Sequence, residues 1–149
     1  MAWRQANEGD AMPTALITGA SSGIGLEIAR ILARDHDVIV AARSAEALQE
    51  LATELGKNAR AVVADLSEPA GAAKLAAGVP DVDVLVNCAG FGRFGNFALE
   101  SQDKVDQMIV VNVVSLTALC RTYLPGMLQR GSGRILNVAS TAAFQPGPL

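Results

Sequence analysis

Aromatic residues make up only 4% of this 149-residue sequence, and charged residues only 18%. There are two cysteines and a single histidine. Two cysteines without metal-like spacing exclude a zinc framework, and Cys88 and Cys120 lie in apolar surroundings expected to keep them as reduced, structural thiols. No metal site is expected. No Lys/Arg cluster occurs and the net charge is -3, which argues against nucleic acid or an anionic membrane as partner. No apolar run approaches the roughly 20 residues of a membrane span, so none is expected. Residues 1–11 carry charges at Arg4, Glu8 and Asp10 and no apolar stretch, so they are no secretory signal. They read as a disordered leader, or a mis-assigned start, ahead of one domain over residues 12–149. The expected compartment is the cytoplasm.

Half of the residues are hydrophobic, enough for a sizeable core. Short β-rich runs alternate with helical patterns. Ala15–Thr18, Val38–Ala42, Ala61–Ala64, Val82–Val86 and Arg134–Ala139 read as strands. The intervening helices include one with Ile24, Ile28, Ile31 and Leu32 on its inner face. A second begins at Ser44 as N-cap, buries Leu48, Leu51, Ala52 and Leu55, and stops at Gly56. An alanine-rich helix covers Pro69 to Ala77. A long one runs from about Ser101 to Arg130, kinked at Pro125 and stopped by Gly131. Continuous apolar strands separated by helices predict an α/β fold, a Rossmann-type doubly wound parallel sheet in the order 3-2-1-4-5.

Between the first strand and helix lies Thr18-Gly19-Ala20-Ser21-Ser22-Gly23-Ile24-Gly25. Gly19 permits a sharp turn, Gly23 lets the backbone approach a pyrophosphate, and Gly25 lets the helix pack near the strand. Amides at the helix start then face phosphates, and the hydroxyls of Ser21 and Ser22 add hydrogen bonds. The competing reading is a tight turn serving packing alone. Beyond the second strand, where NAD-binding units place a carboxylate for the ribose 2′-OH, stands Arg43. Its guanidinium fork can grip a 2′-phosphate, with a preference of roughly 10- to 150-fold for NADP(H) if one charge-assisted bond decides. The alternative is a solvated surface arginine.

The Gly-x-x-x-Gly-x-Gly spacing resembles the cofactor motif of the short-chain dehydrogenase/reductase family. Asp65, Asn87-Cys88-Ala89-Gly90, Asn112 and Ser140 follow in that family's order. The resemblance covers Thr14 to about Gly147 and implies an NADP(H)-dependent oxidoreductase acting on a small carbonyl or secondary alcohol. It implies cofactor contacts by the turn, Gly19 and Ser21 to Gly25 with Ile24 among them, and by Arg43. It adds Asp65 and the amide of Leu66 at adenine, and Asn87, Ala89 and Gly90 along the adenosine side. Ser140 would steady the substrate oxygen and Asn112 would hold a water relay. Cys88 replaces a frequent asparagine. The alternatives are a turn-capping Ser140 and a solvent-facing Asn112.

The family's Tyr-x-x-x-Lys motif is not in this sequence. Tyr123 precedes Ser140 and has Met127, not lysine, four residues on. It is expected to pack on the long helix, while His36 is expected to be solvated in a charged turn. The 149 residues alone are accordingly expected to be a catalytically incomplete, truncated unit, or alternatively a non-catalytic dinucleotide-binding module. An exposed fifth strand and long helix would then favour self-association.

Overall fold

The computed structural model describes residues 12–145, so the expectation of a disordered leader over residues 1–11 lies outside the described residues. Strands β1 (Thr14–Thr18), β2 (Asp37–Ala42), β3 (Ala59–Val63), β4 (Val84–Asn87) and β5 (Arg134–Asn137) form one sheet. Its order is β3-β2-β1-β4-β5, all pairs parallel, with Leu16 opposite both Ile39 and Leu85. This is the Rossmann-type doubly wound sheet expected from alternating apolar strands and helices.

Two apolar layers sandwich the sheet. On one face Ile17, Val38, Val40 and Val86 pack against helices α1 (Gly23–Leu32) and α2 (Ala45–Leu55). On the other, Leu16, Ile39 and Leu85 pack against α3 (Gly71–Gly78) and the long helix. Each fully buried leucine or isoleucine contributes about 1.5–3 kcal/mol of transfer free energy. Helix α2 follows its pattern, burying Leu48, Leu51 and Ala52, with Ser44 accepting from the Ala47 amide and Gly56 at φ +85° ending it.

Helix α1 does not. Ile24 is 61% exposed and Ile31 is also exposed; the buried pair is Gly25 and Ala29, flanked by Leu26, Ile28 and Leu32. The cause is close approach, because a Cβ on Gly25 would run into the Gly19 carbonyl. His36, expected in solvent, is 4% exposed, with Nδ1 2.6 Å from Asp35 Oδ1. That adjacent carboxylate gives the ring the polar partner it needs away from water.

The long helix runs from Gln102 to Arg130 with a distinct break in its hydrogen bonding. Helix α4 (Gln102–Ile109) passes through a π turn (Val110–Ser115) into α5 (Leu116–Arg130), which Gly131 ends in the left-handed conformation. By length and composition alone these 29 residues match a membrane span, against the sequence expectation. One side is nevertheless fixed to the sheet layer through Leu119, Tyr123 and Met127. At its end Arg130 grips both carboxylate oxygens of Asp81, at 2.7 and 2.9 Å, and donates to the Val82 carbonyl. The opposite side leaves Val113, Val114, Leu124 and Leu128 exposed, and β5, at the sheet edge, exposes Leu136.

Candidate functional site

A crevice of about 850 Å³ runs along the carboxyl ends of the strands. Parallel sheets put ligand sites there because every strand feeds its following loop to the same edge. Arg43, beyond β2, and Asp65, beyond β3, line one end; the glycine turn lines the middle; Gly90, Asn112 and Ser140 line the other.

Thr18 fixes the middle. Its hydroxyl donates to the Val86 carbonyl at 3.3 Å and accepts from the amides of Cys88 and Ala89 at 3.1 and 3.2 Å. The ends of β1 and β4 are thereby tied together, so closely that a Cβ on Gly19 would lie 2.8 Å from Ala89 Cα. Gly19 also has φ +69°. The turn and the approach both require glycine there. Gly23, at φ +57°, does not itself line the crevice, and a Cβ there would meet nothing within 4 Å, so its requirement is conformational. Ser21, Ser22, Ile24 and Gly25 do line it. Helix α1 opens with no acidic residue in its first turn, and no side chain caps it, so its amides and dipole face the crevice uncompensated.

Arg43 is exposed on the crevice wall and its charge acts on Asp65. The Asp65 carboxylate accepts from the Ser67 hydroxyl at 2.6 Å and the Ser67 amide at 2.9 Å. The hydroxyl bond above all, helped by that amide and Arg43, holds Asp65 below the usual carboxylate range despite the opposing effect of burial. Leu66 is buried beside it, and its carbonyl accepts from Ser115 Oγ at 2.7 Å, which pins the π turn to the β3 loop. Neither the role of Thr18 nor that of Ser115 is visible in the linear pattern. Their partners lie 68–71 and 49 residues away.

Asn87 lies deeper than the other expected contacts. It does not line the crevice; it is 3% exposed beneath it. Strand alternation turns its side chain towards the long helix, where Nδ2 donates to Asn137 Oδ1 at 2.9 Å and lies 3.3 Å from Cys120 Sγ. Ala89 and Gly90 do line the crevice, at its β4 wall rather than beside Asp65.

Asn112 sits in the π turn, the kind of bulge that re-aims a side chain at a functional surface. It is exposed, yet both ends of its amide are engaged. Oδ1 accepts from the Phe91 amide at 3.1 Å and Nδ2 donates to the Phe91 carbonyl at 2.9 Å. Its side chain therefore clamps the β4 loop. Ser140 accepts from the Ala142 amide at 3.1 Å, capping the short turn Thr141–Phe144. That bond occupies a lone pair and leaves the hydroxyl proton free to donate.

Tyr123 lies away from this end. It is 2% exposed, its hydroxyl donates to the Val79 carbonyl at 2.8 Å, and burial, then Asp81, pushes its pKa up to about 12. The titratable groups among the described lining residues are Arg43, Asp65 and Cys88, whose thiol pKa is raised by burial. Both cysteines are free thiols.

Residues 13–149 match the model of the short chain dehydrogenase family. The chain is 38% identical over 141 residues to an NADP-dependent 3-hydroxy acid dehydrogenase of Salmonella typhi, covering 88% of this chain and 55% of that protein. It is 35% identical over 147 residues to a very-long-chain 3-oxoacyl-CoA reductase of Anas platyrhynchos, covering 91% and 47%. Among solved structures, a short-chain dehydrogenase from Sphingobium yanoikuyae in complex with NADPH superposes with a TM-score of 0.86 at 36% identity, covering 91% of this chain and 56% of that one. The chain thus spans about half the length of the curated relatives it matches.

Proposed function

The chain belongs to the short-chain dehydrogenase family, and from that premise we propose that it serves an NADP(H)-dependent oxidoreductase acting on a carbonyl or secondary alcohol. The observation that carries the reading is the crevice itself. A glycine cradle, an uncompensated helix start and Arg43 line one continuous surface that ends at Ser140. The fit to a dinucleotide rests on the cradle: a Cβ at Gly19 or Gly25 would strike backbone, so the narrow turn exists only with glycine. Ser21, Ser22 and the first α1 amides would hold the pyrophosphate, and Arg43 the 2′-phosphate. When bound, the nicotinamide supplies or accepts the hydride.

The chain's own residues prepare the substrate side. Asn112 fixes the Phe91 backbone, and the Ser140 hydroxyl donates to the substrate oxygen. That bond stabilises charge gathering on the oxygen as the carbonyl is reduced. Proton transfer needs a group whose pKa is tuned near neutrality. Tyr123 is excluded by its bond to Val79 and its raised pKa. The 149-residue polypeptide is accordingly proposed to bind the dinucleotide without turning over substrate. A cytoplasmic location belongs to the same reading, supported by two free thiols. Self-association is supported by the open β5 edge and the apolar outer side of α5.

The test is to mix the chain with NADPH and follow nicotinamide fluorescence, then add a panel of aldehydes and ketones and follow NADPH absorbance. Enhanced fluorescence without loss of absorbance is the expected result. Absence of binding overturns the cofactor reading, and sustained NADPH consumption overturns the proposed incompleteness.

A further inference from the structure

We infer that Ser115 is a positioning residue for the adenosine half of the dinucleotide: through its bond to the Leu66 carbonyl it sets the donor and the acceptor with which the β3 loop reads the base. The inference rests on the dinucleotide reading above and adds a residue that does not itself line the crevice.

A helix hydroxyl commonly donates to the carbonyl four residues back in its own helix. Thr53 and Thr122 do so, to Gln49 and Ala118 at 2.7 and 2.9 Å. Ser115, 2% exposed in the π turn, donates instead to the Leu66 carbonyl at 2.7 Å, 49 residues away. That carbonyl and the Ser67 amide are the two ends of one planar peptide unit. The Ser67 amide in turn donates to Asp65 Oδ1 at 2.9 Å. Ser115 thus holds one end of a rigid plate whose other end holds the Asp65 carboxylate. The Leu66 side chain is buried in the sheet layer, and a Cβ on Gly71 would strike the Asp65 carbonyl, so the loop is closed from below as well. Rotation of the plate is the freedom left to it, and the Ser115 hydroxyl removes that freedom.

What the plate sets lies on the crevice wall, which Asp65, Leu66 and Ser67 line. Asp65 Oδ1 takes both bonds from Ser67, which leaves Oδ2 as an acceptor. The Leu66 amide donates to no group among the described residues. A carboxylate oxygen that only accepts therefore stands one residue from an amide that only donates. Adenine offers the complement along one edge, an amino donor beside a ring-nitrogen acceptor. Hypoxanthine offers the reverse, an oxygen acceptor beside an N–H donor. The base falls at this wall because the Ala64 amide donates to the Ala42 carbonyl at 2.9 Å. That bond brings Asp65 beside Arg43, the proposed holder of the 2′-phosphate.

The experiment titrates the 149-residue chain with NADPH and with its reduced hypoxanthine analogue, following the nicotinamide fluorescence that both carry. The parent is expected to prefer NADPH by about tenfold or more. Ser115→Ala is expected to bring that preference below about threefold by weakening NADPH alone. Ser115→Cys, which fills the same space with a weak donor, is expected to do the same. Tyr123→Phe is the comparison, because it too removes a buried hydroxyl's bond to a backbone carbonyl, 2.8 Å to Val79, but away from the crevice. Its preference is expected to equal the parent's. A merely structural bond would lower the denaturation midpoint in all three variants and leave the preference unchanged. Retention of the parent preference by Ser115→Ala or Ser115→Cys overturns the inference, as does an equal loss of affinity for both dinucleotides or a parent without preference. A parent that binds neither overturns the dinucleotide reading itself, so the two failures are told apart.

Discussion

At the β1–β2 end of the crevice the site is made of backbone, glycine and residues adjacent in sequence. At the β4–β5 end it is made of side chains drawn together across 21 to 71 residues. Gly19, Ser21, Ser22 and Gly25 act through local conformation and exposed amides, and Arg43 acts through its charge. By contrast Asn112 reaches the crevice through a π turn, which Ser115 ties to Leu66, and α5 below that turn is clamped by Arg130 on Asp81. The β1–β2 end is thus rigid by geometry, whereas the β4–β5 end is positioned by a chain of polar contacts. The first tolerates few substitutions and needs few partners. The second depends on its neighbours.

The sharpest break of this contrast is Gly19→Ala. A Cβ there meets the Ala89 backbone at 2.8 Å, in a conformation at φ +69° that L side chains avoid. Destabilisation of about 2–4 kcal/mol is expected in chemical denaturation, with loss of NADPH binding. Gly78→Ala, which meets nothing within 4 Å, is the control, expected within about 0.5 kcal/mol of the parent. Equal effects of the two would dissolve the idea of a geometrically fixed turn.

Arg43→Asp sharpens the contrast within the dinucleotide end. Arg43 is exposed, so stability should hold while the NADPH-over-NADH preference falls by roughly 10- to 150-fold. Competitive titration of the two nucleotides on the variant checks it.

The smallest effect concerns the layer under the β4–β5 end. Tyr123→Phe removes one hydrogen bond to the Val79 carbonyl and should cost about 0.5–1.5 kcal/mol without changing NADPH affinity. The same group sets an alkaline limit. Its folded pKa is raised from 10.0 to about 12, so its contribution is fully present below pH 10 and is lost as pH rises through about 12. Spectrophotometric titration of the phenol, compared with denaturation midpoints across that window, checks the sign. A phenol titrating at its ordinary value would remove Tyr123 from the buried layer.

How much of the molecule is legible in the linear sequence follows the same division. Strand order, the Ser44 cap and the Gly56 and Gly131 stops are readable because periodicity and capping are local. The inner face of α1 departs from its pattern because the largest apolar residues suggest one stripe, whereas contact with the Gly19 carbonyl selects Gly25 and Ala29. His36 departs likewise, because its charged neighbours suggest solvent while Asp35 serves as its partner. Asn87 and Asn112 stand out in sequence, but which groups their amides satisfy depends on Asn137 and Phe91, and no spacing rule encodes that. Thr18 and Ser115 carry no signature for the same reason. Their hydroxyls act across the fold.

A crevice shaped for a dinucleotide carrying a 2′-phosphate must hold NADPH and NADH unequally. The direct measurement is the pair of dissociation constants for NADPH and NADH on the 149-residue chain, by nicotinamide fluorescence at fixed ionic strength. NADPH is expected to bind tighter by roughly 10- to 150-fold. Equal affinities would contradict the role of Arg43, and binding of neither would contradict the cradle.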